Sequence, residues 1–108
     1  MAFTRLCDIK DVPDDDMVSF VIDFEEVLVV RDAGGALHAF EATCPHEDFP
    51  LVEGLFDGST ITCVNHGWIF DASNGRGINP LSCRIAQYPI RVDGDEVLVD
   101  LEGEVPPA

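Results

Sequence analysis

Positive charge is scarce in this chain. Lys and Arg number 6 against 21 Asp and Glu in 108 residues, a net charge of −15. Such a surface repels nucleic acid and anionic membrane, so neither is expected as a partner; it suits attraction to a protein with a basic docking face, and equally simple solubility, and the two are compatible. No apolar run approaches the length that spans a bilayer. The opening Met1-Ala2-Phe3-Thr4-Arg5 lacks the basic n-region of a secretory signal, and the expected location is therefore cytoplasmic. Thiols stay reduced there, which makes the four cysteines metal ligands, catalysts or small buried hydrophobes before it makes them disulfides. Long helical periodicity, internal repeats, linkers and low-complexity segments are all missing. The expectation is one domain over residues 1–108.

What is present is period-2 alternation broken by Gly- and Asp-rich turns. Strands are expected at Phe3–Cys7 and Met17–Asp23. Glu26–Arg31 and Leu37–Ala42 form a hairpin around Ala33-Gly34-Gly35. Leu55–Val64 carries an Asp57-Gly58 turn, and Trp68-Ile69-Phe70 reads as a short aromatic strand. Tyr88–Val92 and Glu96–Leu101 form a second hairpin across Asp93-Gly94. Ile9–Val12 could be a turn of helix, and Gly75–Pro80 reads as a loop. Many short strands at regular spacing predict an all-β fold, an antiparallel β-sandwich or barrel.

Two Cys-His pairs dominate the chemistry. Cys44-Pro45-His46 is followed, after sixteen residues, by Cys63-Val64-Asn65-His66. Each pair begins a loop directly after a strand, so two loops at one end of a sheet could grip one metal centre. Prolines 45 and 50 stiffen the first loop. Two thiolates and two imidazoles suit a [2Fe–2S] cluster in which two His replace two Cys on one iron. They also suit a Cys2His2 zinc site, although structural zinc usually spaces paired ligands by two or more residues. Cys7 and Cys83 read as small buried hydrophobes, with Cys83 close enough to the loops to be a cluster neighbour. His38 reads as a surface or cross-strand residue. Trp68 is either a core residue or part of a docking face beside the loops. Glu47, Asp48, Glu53 and Asp57 read as an acidic rim, and Asp14-Asp15-Asp16 as an exposed turn.

The C-x-H and C-x2-H pairs, with Gly67 after the second His and an aromatic strand behind it, resemble the Rieske ferredoxins, and the likeness covers nearly the whole chain. It implies the Rieske fold, with two cluster-binding loops at one end and one [2Fe–2S] cluster. By that resemblance Cys44 and Cys63 bind the inner iron, and His46 and His66 bind the outer iron near the surface. It implies an electron carrier with no catalytic residues. Its transient partners would be a NADH-dependent flavoprotein reductase and an oxygenase component, and the carrier itself a monomer.

The "CPHED" and "GINP" runs resemble the ferredoxins of toluene, alkene and isoprene monooxygenases, which serve a di-iron hydroxylase. "FTRLCDIKDVP" and "PIRVDGDEVLVDLE" resemble biphenyl-type dioxygenase ferredoxins as much. A small subunit of assimilatory nitrite reductase is a further reading. High-potential Rieske proteins carry an extra Cys in each loop and Ser and Tyr hydroxyls bonded to sulfur. Phe49, Asn65, Trp68 and Phe70 stand at the matching positions here. Fewer hydrogen bonds favour the oxidised cluster and predict a potential near the low end of the roughly −150 to +300 mV Rieske range.

Overall fold

The computed structural model describes residues 3–22, 24–44, 50–64, 67–79, 81 and 83–103. Its strands are β1 Thr4–Asp8, β2 Met17–Ile22, β3 Glu25–Arg31, β4 Leu37–Glu41, β5 Leu55–Phe56, β6 Thr60–Thr62, β7 Ile69–Asp71, β8 Gly77–Asn79, β9 Gln87–Tyr88, β10 Ile90–Asp93 and β11 Glu96–Val99. They form three antiparallel sheets in the orders β1-β11-β10, β2-β3-β4-β9 and β5-β6-β7-β8. The expected antiparallel all-β class is what is found.

The middle sheet, β2-β3-β4-β9, organises the rest. Successive side chains of a strand point to opposite faces. Val27 and Val29 of β3, with Ala39 of β4, pack with Val97 and Val99 of β11 on one face. Leu28 and Val30, with Met17 and Phe40, pack with Ile61 and Phe70 of the β5–β8 sheet on the other. Val27 to Val30 are all fully buried. That explains the unbroken Val-Leu-Val-Val run: a strand covered on both faces has no polar side to alternate with.

The β3–β4 turn is held by Asp32, whose Oδ1 accepts from the N–H of Gly34 (2.9 Å) and Ala36 (3.0 Å). Gly35 takes the left-handed conformation the turn requires, with φ 86°. His38 is a cross-strand residue opposite Val30. Its Nε2 lies 2.9 Å from Asp32 Oδ2. The exposed turn expected at Asp14–Asp16 is also present.

Three elements differ from the sequence reading. The strand expected over Tyr88–Val92 is broken at Pro89, so β9 pairs with β4 and β10 with β11. Proline has no N–H for a ladder, and the chain changes sheets there. Gly77–Asn79, read as loop, is strand β8 on β7; three residues are too few to show a period. A 3₁₀ turn at Leu51–Glu53 was not foreseen, whereas the helical turn expected at Ile9–Val12 is a 3₁₀ turn over Ile9–Asp11. The ends of the strands expected to reach Asp23 and of the loop ending at Pro80 fall on residues outside those described.

Candidate metal centre

Cys44 opens the first loop, three residues after β4, and Cys63 opens the second, directly after β6. Backbone contacts close both loops at their bases. Leu51 N–H donates to Ala42 O at 2.9 Å, and Thr43 bridges Pro50 in antiparallel fashion. In the second loop Cys63 N–H donates to Trp68 O at 2.8 Å, and Gly67 N–H donates to Cys63 O at 2.9 Å. Gly67 makes that return possible: its φ of 73° lies in the left-handed region, which costs a side-chain-bearing residue free energy.

The two cysteines are 1% exposed and lie in one apolar cluster with Phe40, Leu51, Ile61, Phe70 and Ile85. None of the four cysteines of the chain is in a disulfide, so a Cys44–Cys63 bridge is not formed. Two thiols buried in one core, each heading a closed loop, are a donor set fit for a soft metal centre in a water-poor setting. His46 and His66, with the rim residues Glu47 and Asp48 and the comparison positions Phe49 and Asn65, lie outside the described residues. Among the described residues no three His, Cys, Asp or Glu side chains gather as a metal site.

The surroundings separate the other candidates. Cys7 is buried in the opposite core, behind the middle sheet. Burial, helped by the charge of Asp11, pushes its thiol up to about 11. Cys83 is half-buried against the same core as Cys44 and Cys63, and burial raises its thiol too. The packing of both side chains against apolar cores is in keeping with the hydrophobe reading. Trp68 is half-buried, packs on that core and sits 6.5 Å from Phe70 between ring centroids. It therefore belongs partly to the core and partly to the surface.

Asp57 is not a rim residue of the loops. It sits in the β5–β6 turn, at the end of β6 remote from Cys63. Its carboxylate accepts from Ser59 N–H (3.0 Å), Thr60 N–H (2.8 Å) and both hydroxyls (3.2 and 2.9 Å). Those bonds hold its carboxyl down at about 2. Sequence reading also missed Leu51 and Gly54, which tie the first loop to β6. Their only trace in the sequence is a glycine directly ahead of the apolar pair Leu55-Phe56.

Comparison with known proteins follows the same lines. The alkene monooxygenase system ferredoxin component of Xanthobacter autotrophicus is 35% identical over 101 residues, 93% of this chain and 82% of that protein. The biphenyl 2,3-dioxygenase ferredoxin component of Rhodococcus jostii is 33% identical over 106 residues, 97% of this chain and 98% of that protein. A chain in a solved complex of reduced oxygenase and oxidized ferredoxin of carbazole 1,9a-dioxygenase superposes with a TM-score of 0.79 at 27% identity, covering 90% of this chain and 91% of that one. No helix among the described residues is long and apolar enough to cross a membrane. The Rieske [2Fe-2S] domain family matches residues 2–89; the chain belongs to this family, and its cofactor is one Rieske-type [2Fe–2S] cluster.

Proposed function

We propose that this chain is a single-domain, monomeric electron carrier of an oxygenase system. It takes single electrons from a NADH-dependent flavoprotein reductase and delivers them to the di-iron hydroxylase of a bacterial hydrocarbon monooxygenase. The observation that carries the proposal is the pair of closed loops, each headed by a buried cysteine of one core that is in no disulfide. In this reading Cys44 and Cys63 hold the inner iron as thiolates, and His46 and His66 hold the outer iron. The cluster supplies one-electron storage when bound, at a potential raised by the two neutral imidazoles relative to four thiolates. The chain's own task is to fix the ligands and exclude water, which Leu51, Ile61 and Phe70 do around the thiols. A stiff ligand frame keeps reorganisation on electron transfer small. The free thiols suit a reducing cytoplasm.

Three exposed apolar side chains border this end of the β5–β8 sheet. Leu55 (64% exposed) pairs opposite Thr62, the residue before Cys63; Val64 (48%) follows Cys63; Leu81 (85%) lies two residues past β8. They offer a dry contact for the oxygenase. The alkene monooxygenase relative favours a monooxygenase partner. The biphenyl dioxygenase relative, matched over almost its whole length, supports a ring-hydroxylating dioxygenase as the second reading.

The test has two stages. EPR of the dithionite-reduced protein, with iron and sulfide analysis, is expected to give a rhombic signal with an average g value below that of all-cysteine ferredoxins, and equal iron and sulfide. A colourless protein with equimolar zinc would overturn the cluster assignment. Reconstitution with a di-iron hydroxylase and with a Rieske dioxygenase, each fed by a NADH-dependent reductase, then assigns the partner. Turnover of the dioxygenase alone would reverse the preference.

A further inference from the structure

Gly54 closes the 3₁₀ turn that follows the first loop, in extended backbone at φ −85° and ψ −155°. Nothing in that conformation calls for glycine. What calls for it is space: a Cβ at Gly54 would stand 2.1 Å from Thr62 O and 3.1 Å from Leu51 O. Ordinary contact begins at 3.4 Å. The bare Cα therefore presses against the backbone of β6 one residue before Cys63, and the obstructing atom is a carbonyl that cannot rotate aside. On its other side Gly54 N–H donates to Leu51 O at 2.9 Å, and Leu51 N–H donates to Ala42 O at 2.9 Å, two residues before Cys44. Leu51 itself is fully buried and fixed. A backbone path thus runs Ala42, Leu51, Gly54, Thr62 from the start of one loop to the start of the other, with no flexible side chain in it.

We infer that Gly54 is a positioning residue: its missing side chain sets the separation of the two loop starts, and through it the spacing of the Cys44 and Cys63 thiolates. The inference rests on the reading that these two cysteines hold the cluster. Any side chain at 54 drives the 3₁₀ turn and β6 apart by over an ångström. Close-packed surroundings transmit that displacement and do not absorb it.

Gly54→Ala, prepared as the holoprotein, tests this by EPR, redox titration, iron content and far-UV circular dichroism. The expected result is a wild-type β spectrum with shifted g values and a shifted midpoint potential, or a folded chain that has lost iron. Val97→Ala, in the core on the far side of the middle sheet, serves as the reference for simple destabilisation. It is expected to lower Tm while leaving g values and potential as in wild type. A Gly54→Ala protein with the wild-type signal and potential overturns the inference, as does a Val97→Ala protein that shifts them equally. Should Gly54→Ala not fold, Leu51→Val, which trims the side chain seating the turn, is expected to shift the g values with iron retained; an unchanged signal overturns the inference. A wild-type protein without a Rieske signal overturns the ligand reading instead.

Discussion

Cys44, Cys63, Cys7 and Cys83 share a side chain and differ in what surrounds it. Cys7 is lodged behind the middle sheet among valines, and its thiol is pushed up to about 11 by burial. Cys44 and Cys63 are as deeply buried, yet each stands at the mouth of a backbone-closed loop, with a histidine two or three residues on in the sequence. The paired spacing makes the proposed ligands stand out in the sequence alone, since no packing argument asks for a Cys and a His repeated together. Phe70 is equally legible as a residue without a hydroxyl, and it is fully buried. The wild-type potential is accordingly expected below zero against the hydrogen electrode, near the low end of the roughly −150 to +300 mV Rieske range; redox titration checks it. Replacing either histidine with cysteine adds a thiolate's negative charge to the oxidised and reduced cluster alike, and the reduced form suffers more. His46→Cys and His66→Cys are each expected to keep a cluster and lower its potential, toward the roughly −400 mV of plant-type ferredoxins with four thiolates. An unchanged potential would show that the residue replaced is no ligand.

Among the elements, β4 matters most to the site, because it carries the middle sheet into the first loop. Phe40, fully buried at its fourth position, packs with Leu28, Ile61, Phe70 and Ile85. Phe40→Ala is expected to cost about 3–5 kcal/mol of stability in denaturant unfolding, the usual range for a buried aromatic. The β5–β6 turn carries a different signature. Its Asp57 carboxyl sits at about 2, below the 3.8 it has without these bonds, owing first to the N–H groups of Ser59 and Thr60. A carboxyl depressed by folding stabilises the native state above its unfolded pKa, and that contribution fades as pH falls through the folded value. Stability is therefore expected to fall between about pH 4 and pH 2, and Asp57→Asn should flatten that part of the curve followed by thermal melts. An identical slope in the variant would assign the loss to other carboxylates. Sequence legibility follows the same physics. β3 and the β10–β11 hairpin declare themselves through apolar content and an Asp-Gly turn. Pro89 was visible, but its role in moving the chain between sheets depends on a partner strand, β4, far off in sequence. β8 is too short for a period, and Gly54 is invisible because its requirement comes from Thr62, eight residues away and brought close only by folding.

At the scale of the whole molecule, acidic residues outnumber basic ones by 15. Of the six basic residues, Arg5 is engaged by Asp8 (2.6 Å) and Glu96 (2.8 Å), and Arg31 by Asp14 (3.2 Å). Arg91 lies over the Phe3 ring, 4.9 Å from its centroid. The long-range field is therefore negative, while the end of the β5–β8 sheet beside Cys63 shows exposed Leu55, Val64 and Leu81. On the proposed function, field and patch would divide the work of a transient encounter. The field speeds approach to a basic partner without adding much affinity, and a small apolar contact holds the pair briefly without committing it. Screening acts on the first and spares the second. The Debye length shrinks from about 10 Å at 0.1 M salt to about 3 Å at 1 M. The second-order rate of electron delivery to the oxygenase, followed by stopped-flow absorbance, is expected to fall on the order of tenfold or more over that span. The midpoint potential should move far less, because buried thiolates are screened little. Leu81→Asp supplies the complementary arm: added negative charge in place of a dry contact should slow delivery at high salt as well, where steering is already gone. A rate indifferent to salt would mean that the acidic surface serves solubility alone and that docking is apolar throughout.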